Sequence, residues 1–442
     1  MGKVILNNNI RNIAIIAHVD HGKTTLVDQL FRQSGLFRDN QSVDERIMDS
    51  MDLERERGIT IAAKNCSVTW NETKINILDT PGHADFGGEV ERALIMVDGV
   101  ILLVDASEGP LPQTRFVLKK ALEGQKTVLV VVNKIDRQDA RPVEVLDEIY
   151  DLFIDLDANE KQLEFPVLYA IGKDGIAKYE LKDQSANLHP LFDTIIKELP
   201  APKHSLEEPF QMLVADLDYS DYLGQLAIGR VSNGTAAKNE QLVCISEGAK
   251  ENTLRASKIQ VYEGFTMQEV EKIEPGEIMI LAGIENVRIG DTICTKESPK
   301  ALKRISVDEP TISMFFYTNT SPFAGQEGKL VQSNKIKERL YKETLSNVSL
   351  QFEETKDSER FLVKGRGELQ MAILIETMRR EGFELAVGRP EVFYKEENGE
   401  RLEPIEHVYV DCEEGFLGVI SEKLSKRKGR MINLVNHGSG RI

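Results

Sequence analysis

The stretch Ile13-Ala-Ile-Ile-Ala-His-Val-Asp-His-Gly-Lys-Thr-Thr-Leu-Val-Asp-Gln-Leu30 decides the fold. Ile13 to Ile16 is a short apolar run of the kind that forms a buried strand. Thr25 to Leu30 opens a helix with apolar residues on one face. Between them, Ala17 to Thr24 reads A-x-x-x-x-G-K-T, one residue away from the phosphate loop G-x-x-x-x-G-K-[ST]. A backbone that wraps a phosphate must point its amides inward, and Gly22 allows that close approach. Lys23 is placed to reach the β and γ phosphates, and the Thr24 hydroxyl to bind Mg²⁺. The helix that follows turns its positive end on the same anion.

Working outward, 442 residues suggest roughly three domains at about 150 residues each. A hydrophobic content of 41% is that of a globular protein. No apolar run reaches about 18 residues, which argues against a membrane span. Met1 to Asn9 has no apolar signal core, so the chain reads as cytoplasmic. Cys66, Cys244, Cys294 and Cys412 lie far apart without ligand spacing and read as reduced, buried thiols. A net charge of −17 argues, taken alone, against binding nucleic acid.

Three further motifs follow. Ser34 to Arg57 is rich in Asp, Glu and Arg and reads as a mobile polar segment ending in Arg57-Gly-Ile-Thr-Ile61. A threonine here, Thr60, can reach Mg²⁺ when a γ-phosphate holds the segment shut, although Ile-Thr-Ile is also a natural strand start. The strand Lys74 to Leu78 ends in Asp79-Thr-Pro-Gly-His83. That D-x-x-G pattern puts a carboxylate near the metal and the Gly82 amide near the γ-phosphate. His83, directly behind it, is placed to orient an attacking water. Gly99 to Val104 and Thr127 to Val132 are continuous apolar runs, as in a mostly parallel sheet buried on both faces, with Thr114 to Leu122 as a crossover helix. The second run ends in Asn133-Lys-Ile-Asp136. A carboxylate at Asp136 that accepts two N–H donors from one base edge separates guanine from adenine.

On these four motifs, residues 1–203 resemble the G domain of the translational GTPases, the family of elongation factors Tu and G. The resemblance implies GTP and GDP as ligands and GTP hydrolysis as the activity. It implies a nucleotide-binding set of Asp20, His21, Gly22, Lys23, Thr24, Thr25, Gly82, Asn133, Lys134 and Asp136. It also implies Mg²⁺ on Thr24, Thr60 and Asp79, a catalytic group of His83, Lys23 and Asp20, a monovalent cation near Asp20, and an apolar gate of Val19 and Ile59 beside His83. The family's fifth motif is usually Ser-Ala-x, whereas Val167 to Lys173 carries Ile171 and Gly172 there. The Gly172 amide is expected to meet the base oxygen, and the serine hydroxyl that braces the loop is absent.

Pro200-Ala-Pro202 reads as a linker. Short alternating strands between Phe210 and Lys296, such as Leu226 to Val231 and Gln241 to Ile245, suit a small antiparallel barrel over 204–305. Residues 306–395 read strand, helix, strand, strand, helix, strand, the order of a ferredoxin-like α+β domain. Gly365 to Leu369 and Arg379 to Phe383 resemble the third domain of factor G. Asn319 to Gly325 with Glu327-Gly-Lys329 is closer to one branch of the family, BipA (also called TypA). Residues 396–442 resemble part of factor G's fifth domain, a second and incomplete ferredoxin-like α+β unit that opens with a strand over Glu406 to Cys412. Lys423, Lys426, Arg427, Lys428 and Arg430 form a basic cluster, either a solvated helix end or a contact for ribosomal RNA.

The expectation is therefore a multidomain protein: an α/β P-loop G domain, an antiparallel β-barrel, a ferredoxin-like domain and a partial second one. Nothing resembles factor G's fourth domain, which argues against a translocase. By the family pattern the chain reads as C-terminally truncated. The resemblance implies a monomer that works on the 70S ribosome or 50S subunit in large-subunit assembly and stress adaptation. A nucleotide-gated binding module with incidental hydrolysis is the competing class.

Overall fold

The computed structural model describes residues 3–35, 52–220, 222–285, 287–305, 309–347, 349–397, 399–436, 440 and 442. Most of the expected polar segment, 36–51, lies outside the described residues.

The first unit is built on β1 (Val4–Leu6), β2 (Ile10–Ala17), α1 (Lys23–Gln33), α2 (Asp52–Arg57), β3 (Lys64–Trp70), β4 (Thr73–Asp79) and α3 (Gly87–Met96). It continues through β5 (Gly99–Asp105), α4 (Pro112–Glu123), β6 (Thr127–Asn133), α5 (Pro142–Asp155), α6 (Glu160–Leu163), β7 (Val167–Ile171), β8 (Ile176–Lys178) and α7 (His189–Glu198). The sheet order is β3-β4-β2-β5-β6-β7-β8, parallel from β4 to β7 with an antiparallel strand at each edge. Its continuous apolar runs have a physical cause. Ala14, Ile16, Leu102, Val104, Val130 and Val132 meet α3, α4 and α5 on one face. The alternate residues Ile13, Ile15, Ile101, Leu103, Leu129 and Val131 meet α1 and α7 on the other. Both faces are covered, so neither set can be polar. β2, β4, β5, β6 and β7 all end at one edge of the sheet, where ligands of such folds sit.

β9 (Lys203–Ser205) pairs back onto β1, so the expected boundary at 203/204 falls inside a strand. The second unit comprises β10 (Gln211–Ser220), β11 (Gly224–Asn233), β12 (Ala236–Ala237), β13 (Gln241–Ile245), β14 (Glu251–Arg255), β15 (Lys258–Glu263), β16 (Thr266–Glu269), β17 (Lys272–Ile273), β18 (Ile278–Ile284) and β19 (Thr292–Thr295). It is the antiparallel β-barrel, closed around Met212, Val214, Leu242, Ile259, Leu281 and Ile293. A buried polar bridge joins it to the first sheet. Asn76 Nδ2 donates to Asn12 Oδ1 at 2.8 Å and to Glu277 Oε1 at 2.9 Å, and Asn12 Nδ2 donates to the Gly276 carbonyl at 2.8 Å.

The third unit runs β20 (Ile312–Thr318), α8 (Ser333–Ser346), β21 (Gln351–Glu354), β22 (Arg360–Gly365), α9 (Glu368–Arg380), β23 (Leu385–Val387) and β24 (Glu391–Val392). The order β21-β22-β20-β23 is that of a ferredoxin-like domain. Ile336 and Leu340 of α8 and Met371, Leu374 and Met378 of α9 cover one face. The Asn319 to Lys329 stretch gathers around the Glu384 carboxylate, which accepts from the Gly325, Glu327 and Gly328 amides at 3.0–3.1 Å and from Asn319 Nδ2 at 2.6 Å.

At the C-terminal side lie β25 (Lys395–Glu397), β26 (Glu400–Leu402) and α10 (Leu417–Lys426). The expected strand over Glu406–Cys412 does not form. A strand needs a partner ladder, and among the described residues no strand lies beside this stretch, although Cys412 exchanges two backbone hydrogen bonds with Ile442. Ile405, Val408 and Tyr409 stay exposed, with Tyr409 under the Arg115 guanidinium. Cys412 is half-buried rather than buried; the other three cysteines are buried, and all four are free thiols. Among the described residues no helix is long and apolar enough to cross a membrane.

Candidate functional site

The loop between β2 and α1 turns on two left-handed residues, Asp20 with φ 66° and Gly22 with φ 91°. A side chain at Gly22 would meet Asn133 Nδ2 at 2.6 Å, so glycine is required by space as well as by φ. Asn133 knits the loops together. Its Nδ2 donates to the His21 carbonyl at 2.9 Å, and its Oδ1 accepts from the Gly172 amide at 2.8 Å. Lys134 does similar work: its Nζ donates to the Asp20 carbonyl at 2.6 Å and lies 2.8 Å from Asp105 Oδ2. Burial alone would push the Asp105 carboxyl up, but Lys134 and the Ser107 amide and hydroxyl bring it down to about 2. Asp105 is thus a fixed anion that holds Lys134 in place.

Beyond the loop opens a cavity of 660 Å³. Asp20, Gly22, Lys23, Thr24, Thr25, Thr60, Gly82, His83 and Lys134 all line it, as do Val19 and Ile59. Lys23 Nζ lies 2.6 Å from Asp79 Oδ1 and donates to Thr60 Oγ1 at 2.7 Å and the Thr80 carbonyl at 2.8 Å. Thr60 Oγ1 donates to Asp79 Oδ2 at 3.5 Å. Asp79 is buried, and its Oδ1 receives no directed hydrogen bond although the ammonium is near, since Lys23 approaches off the bonding direction. A cation therefore already stands in a nest of hard oxygens.

Thr60 is held by a device that sequence reading missed. The buried Glu54 of α2 accepts from the Ile61 amide at 3.0 Å and the Ala62 amide at 3.4 Å, and pairs with Lys64. Residues 58–62 are therefore a pinned loop rather than a strand start. His83 Nδ1 accepts from the Asp85 amide at 3.1 Å.

Six expected ligand residues lie off the cavity wall: Asp79 and Asn133, described above, and His21, Asp136, Ile171 and Gly172. His21 is buried beneath the loop, with Nδ1 3.4 Å from both the Leu103 carbonyl and the Asp105 amide. Asp136 is exposed beyond β6 and makes no hydrogen bond among the described residues. Ile171 and Gly172 stand back, and the Gly172 amide meets Asn133 Oδ1 instead of facing outward for a base oxygen. A buried carboxamide oxygen needs a donor, and glycine lets its amide approach. Lys173 is the fifth-motif residue that reaches the cavity. The bracing expected of a serine comes from α1: Gln29 Nε2 donates to the Lys173 carbonyl at 3.1 Å and Gln33 Nε2 to the Gly175 carbonyl at 2.8 Å.

The His21 ring is pushed down to about 4, first by burial and then by His18, against the Leu103 carbonyl and Asp105. Unfolded histidine titrates near 6.5, so the neutral buried ring favours the fold above that pH. This stability is lost as pH falls from about 6.5 to 4, by about 3 kcal/mol in all. Histidine NMR of the labelled chain is expected to show one ring neutral down to about pH 4, absent in His21→Gln. A His21 signal that titrates near 6.5 sinks this assignment.

Two family models match the chain: the elongation factor Tu GTP-binding domain over residues 8–201 and elongation factor G domain 2 over 209–296. The large ribosomal subunit assembly factor BipA of Bacillus subtilis is 53% identical over 437 residues, covering 99% of this chain and 71% of that protein. Its counterpart in Escherichia coli K12 is 50% identical over 433 residues, covering 98% and 71%. A crystal structure of a Thermus thermophilus protein shares the fold with a TM-score of 0.66 at 19% identity, over 89% of this chain and 72% of that one. With the G domain and barrel matched in order, and half the residues shared along nearly the whole length, the chain belongs to the BipA family of translational GTP hydrolases.

Proposed function

We propose that the chain hydrolyses GTP as a ribosome-linked switch in large-subunit assembly, with its chemistry in the cavity behind Gly22. One observation carries this reading. Lys23, Thr60 and Asp79 converge within hydrogen-bonding reach of one another beside the cavity that His83 also lines.

The loop amides and Lys23 would bind the β and γ phosphates. Asp79 and the hydroxyls of Thr24 and Thr60 are a hard-oxygen set that fits Mg²⁺, with Lys23 Nζ now in part of that nest. Bound there, Mg²⁺ supplies charge neutralisation at the phosphate oxygens. Thr60 then couples the pinned loop to the γ-phosphate, and loss of that phosphate frees Lys23 and Thr60 to pair as they do here. His83 orients water, with Val19 and Ile59 lining the same cavity to keep other water out. Asp20 offers one carboxylate there for the monovalent cation that the family implies. Asp136 reads guanine, while Asn133 and Lys134 set its loop. The exposed basic cluster at the end of α10 is available to ribosomal RNA, with Lys426 already paired to Glu422.

GTP turnover by the purified chain, alone and with 50S subunits or 70S ribosomes, tests the reading. Stimulated turnover with GTP and none with ATP is the expected result. Binding of adenine nucleotides without guanine ones would overturn it.

A further inference from the structure

Helix α9 sits in the third domain, yet its N-terminal end lies on the nucleotide cavity. The Leu369 and Gln370 amides donate to Asp85 Oδ2 at 2.9 and 3.4 Å. Leu369 lines the cavity, and Ile373 packs with Leu53, Ile61 and Phe86. At the other end, Arg380 forks onto Glu56 of α2 with contacts of 3.0 and 2.5 Å. A Cβ on Gly367 would stand 2.2 Å from Asp85, so the seat is close. The helix therefore touches both segments that present Thr60 and His83 to the phosphate.

The second oxygen of Asp85 faces the catalytic ring. Oδ1 is 3.3 Å from His83 Nδ1, while the Asp85 amide donates to that same nitrogen at 3.1 Å. One nitrogen cannot both accept from the amide and donate to the carboxylate. When the carboxylate accepts a hydrogen bond from Nδ1–H, Nε2 of the neutral ring has a lone pair for water. When the amide donates, the proton moves to Nε2. Burial alone would raise the Asp85 carboxyl, but His83 and the two α9 amides hold it below the ordinary range, so it is an anion able to make this choice.

We propose that Asp85 is a positioning residue: its shared carboxylate ties the tautomer of His83 to the seating of α9, so docking of the third domain sets hydrolysis. The inference rests on the role given to His83 above. Thus the site would report on whatever moves the third domain, a ribosomal surface included.

Asp85→Asn keeps an oxygen for the α9 amides but turns an N–H donor toward Nδ1. The expected result is GTP affinity within about twofold of the parent and single-turnover hydrolysis on 70S ribosomes lower by about tenfold or more. The ¹⁵N spectrum of the His83 ring should move to the Nε2–H form. Arg380→Glu, which frees the far end of α9 without touching Asp85, should lower hydrolysis as well, and adding Glu56→Arg should restore it. Should D85N not fold, the Arg380 and Glu56 pair carries the test. Parental hydrolysis by D85N, in a series where His83→Ala is inactive, overturns the inference and leaves the His83 role standing. Parental hydrolysis by R380E removes α9 from it. If His83→Ala itself hydrolyses GTP normally, both fall.

Discussion

His83→Ala is expected to lower ribosome-stimulated GTP hydrolysis by about 10²–10⁴-fold while GTP affinity stays nearly intact. The separation follows from the site. Lys23 and the loop amides, which would grip phosphate, share no hydrogen bond with the His83 side chain, whose ring lines the same cavity. Losing the ring leaves the half-buried Asp85 amide without its acceptor, which costs on the order of 1 kcal/mol and leaves the fold in place. The drop in rate corresponds to about 3–5 kcal/mol of lost transition-state stabilisation. Single-turnover hydrolysis with calorimetry of GTP binding checks both halves. A rate within a factor of about two of the parent refutes the role.

Asp136→Asn carries the second large effect. Guanine offers two N–H donors on one edge, and a carboxylate accepts both. An asparagine at 136 turns its own N–H₂ toward one of them, so one charged hydrogen bond is lost and two donors oppose each other. Affinity for GTP is expected to fall by about 10²–10⁴-fold. The same variant should gain xanthosine triphosphate, which has a carbonyl where guanine has its amino group, and hydrolyse it on ribosomes. Asp136 makes no hydrogen bond among the described residues, so the substitution disturbs no packing that would confuse the result. GTP affinity within about tenfold of the parent removes Asp136 from base recognition.

What was legible in the sequence was what local pattern determines. The apolar runs at Ile13, Gly99 and Thr127 mark strands covered on both faces, and the residues where they end become the site. The order of elements from 306 to 395 was legible for the same reason. Contacts between distant segments were not. Nothing near Leu369 in the chain signals that it lines a nucleotide cavity, because its neighbour Asp85 is nearly three hundred residues away. Glu54 looked like one more charge in an acidic stretch, and only the fold shows it buried against the Ile61 and Ala62 amides. The Glu406–Cys412 strand, expected with the likeness to factor G's fifth domain, did not form because a strand needs a neighbour to pair with, and none lies beside it among the described residues.

The Asn12–Asn76–Glu277 bridge has a mechanical consequence. It fastens the far edge of the nucleotide sheet to the barrel through buried polar groups, and separating them would strand each one without a partner, at several kcal/mol together. The first two units therefore travel as a single anvil. A stroke from the γ-phosphate that passes through Asp85 would reach the third domain through α9, and that domain would be the hammer.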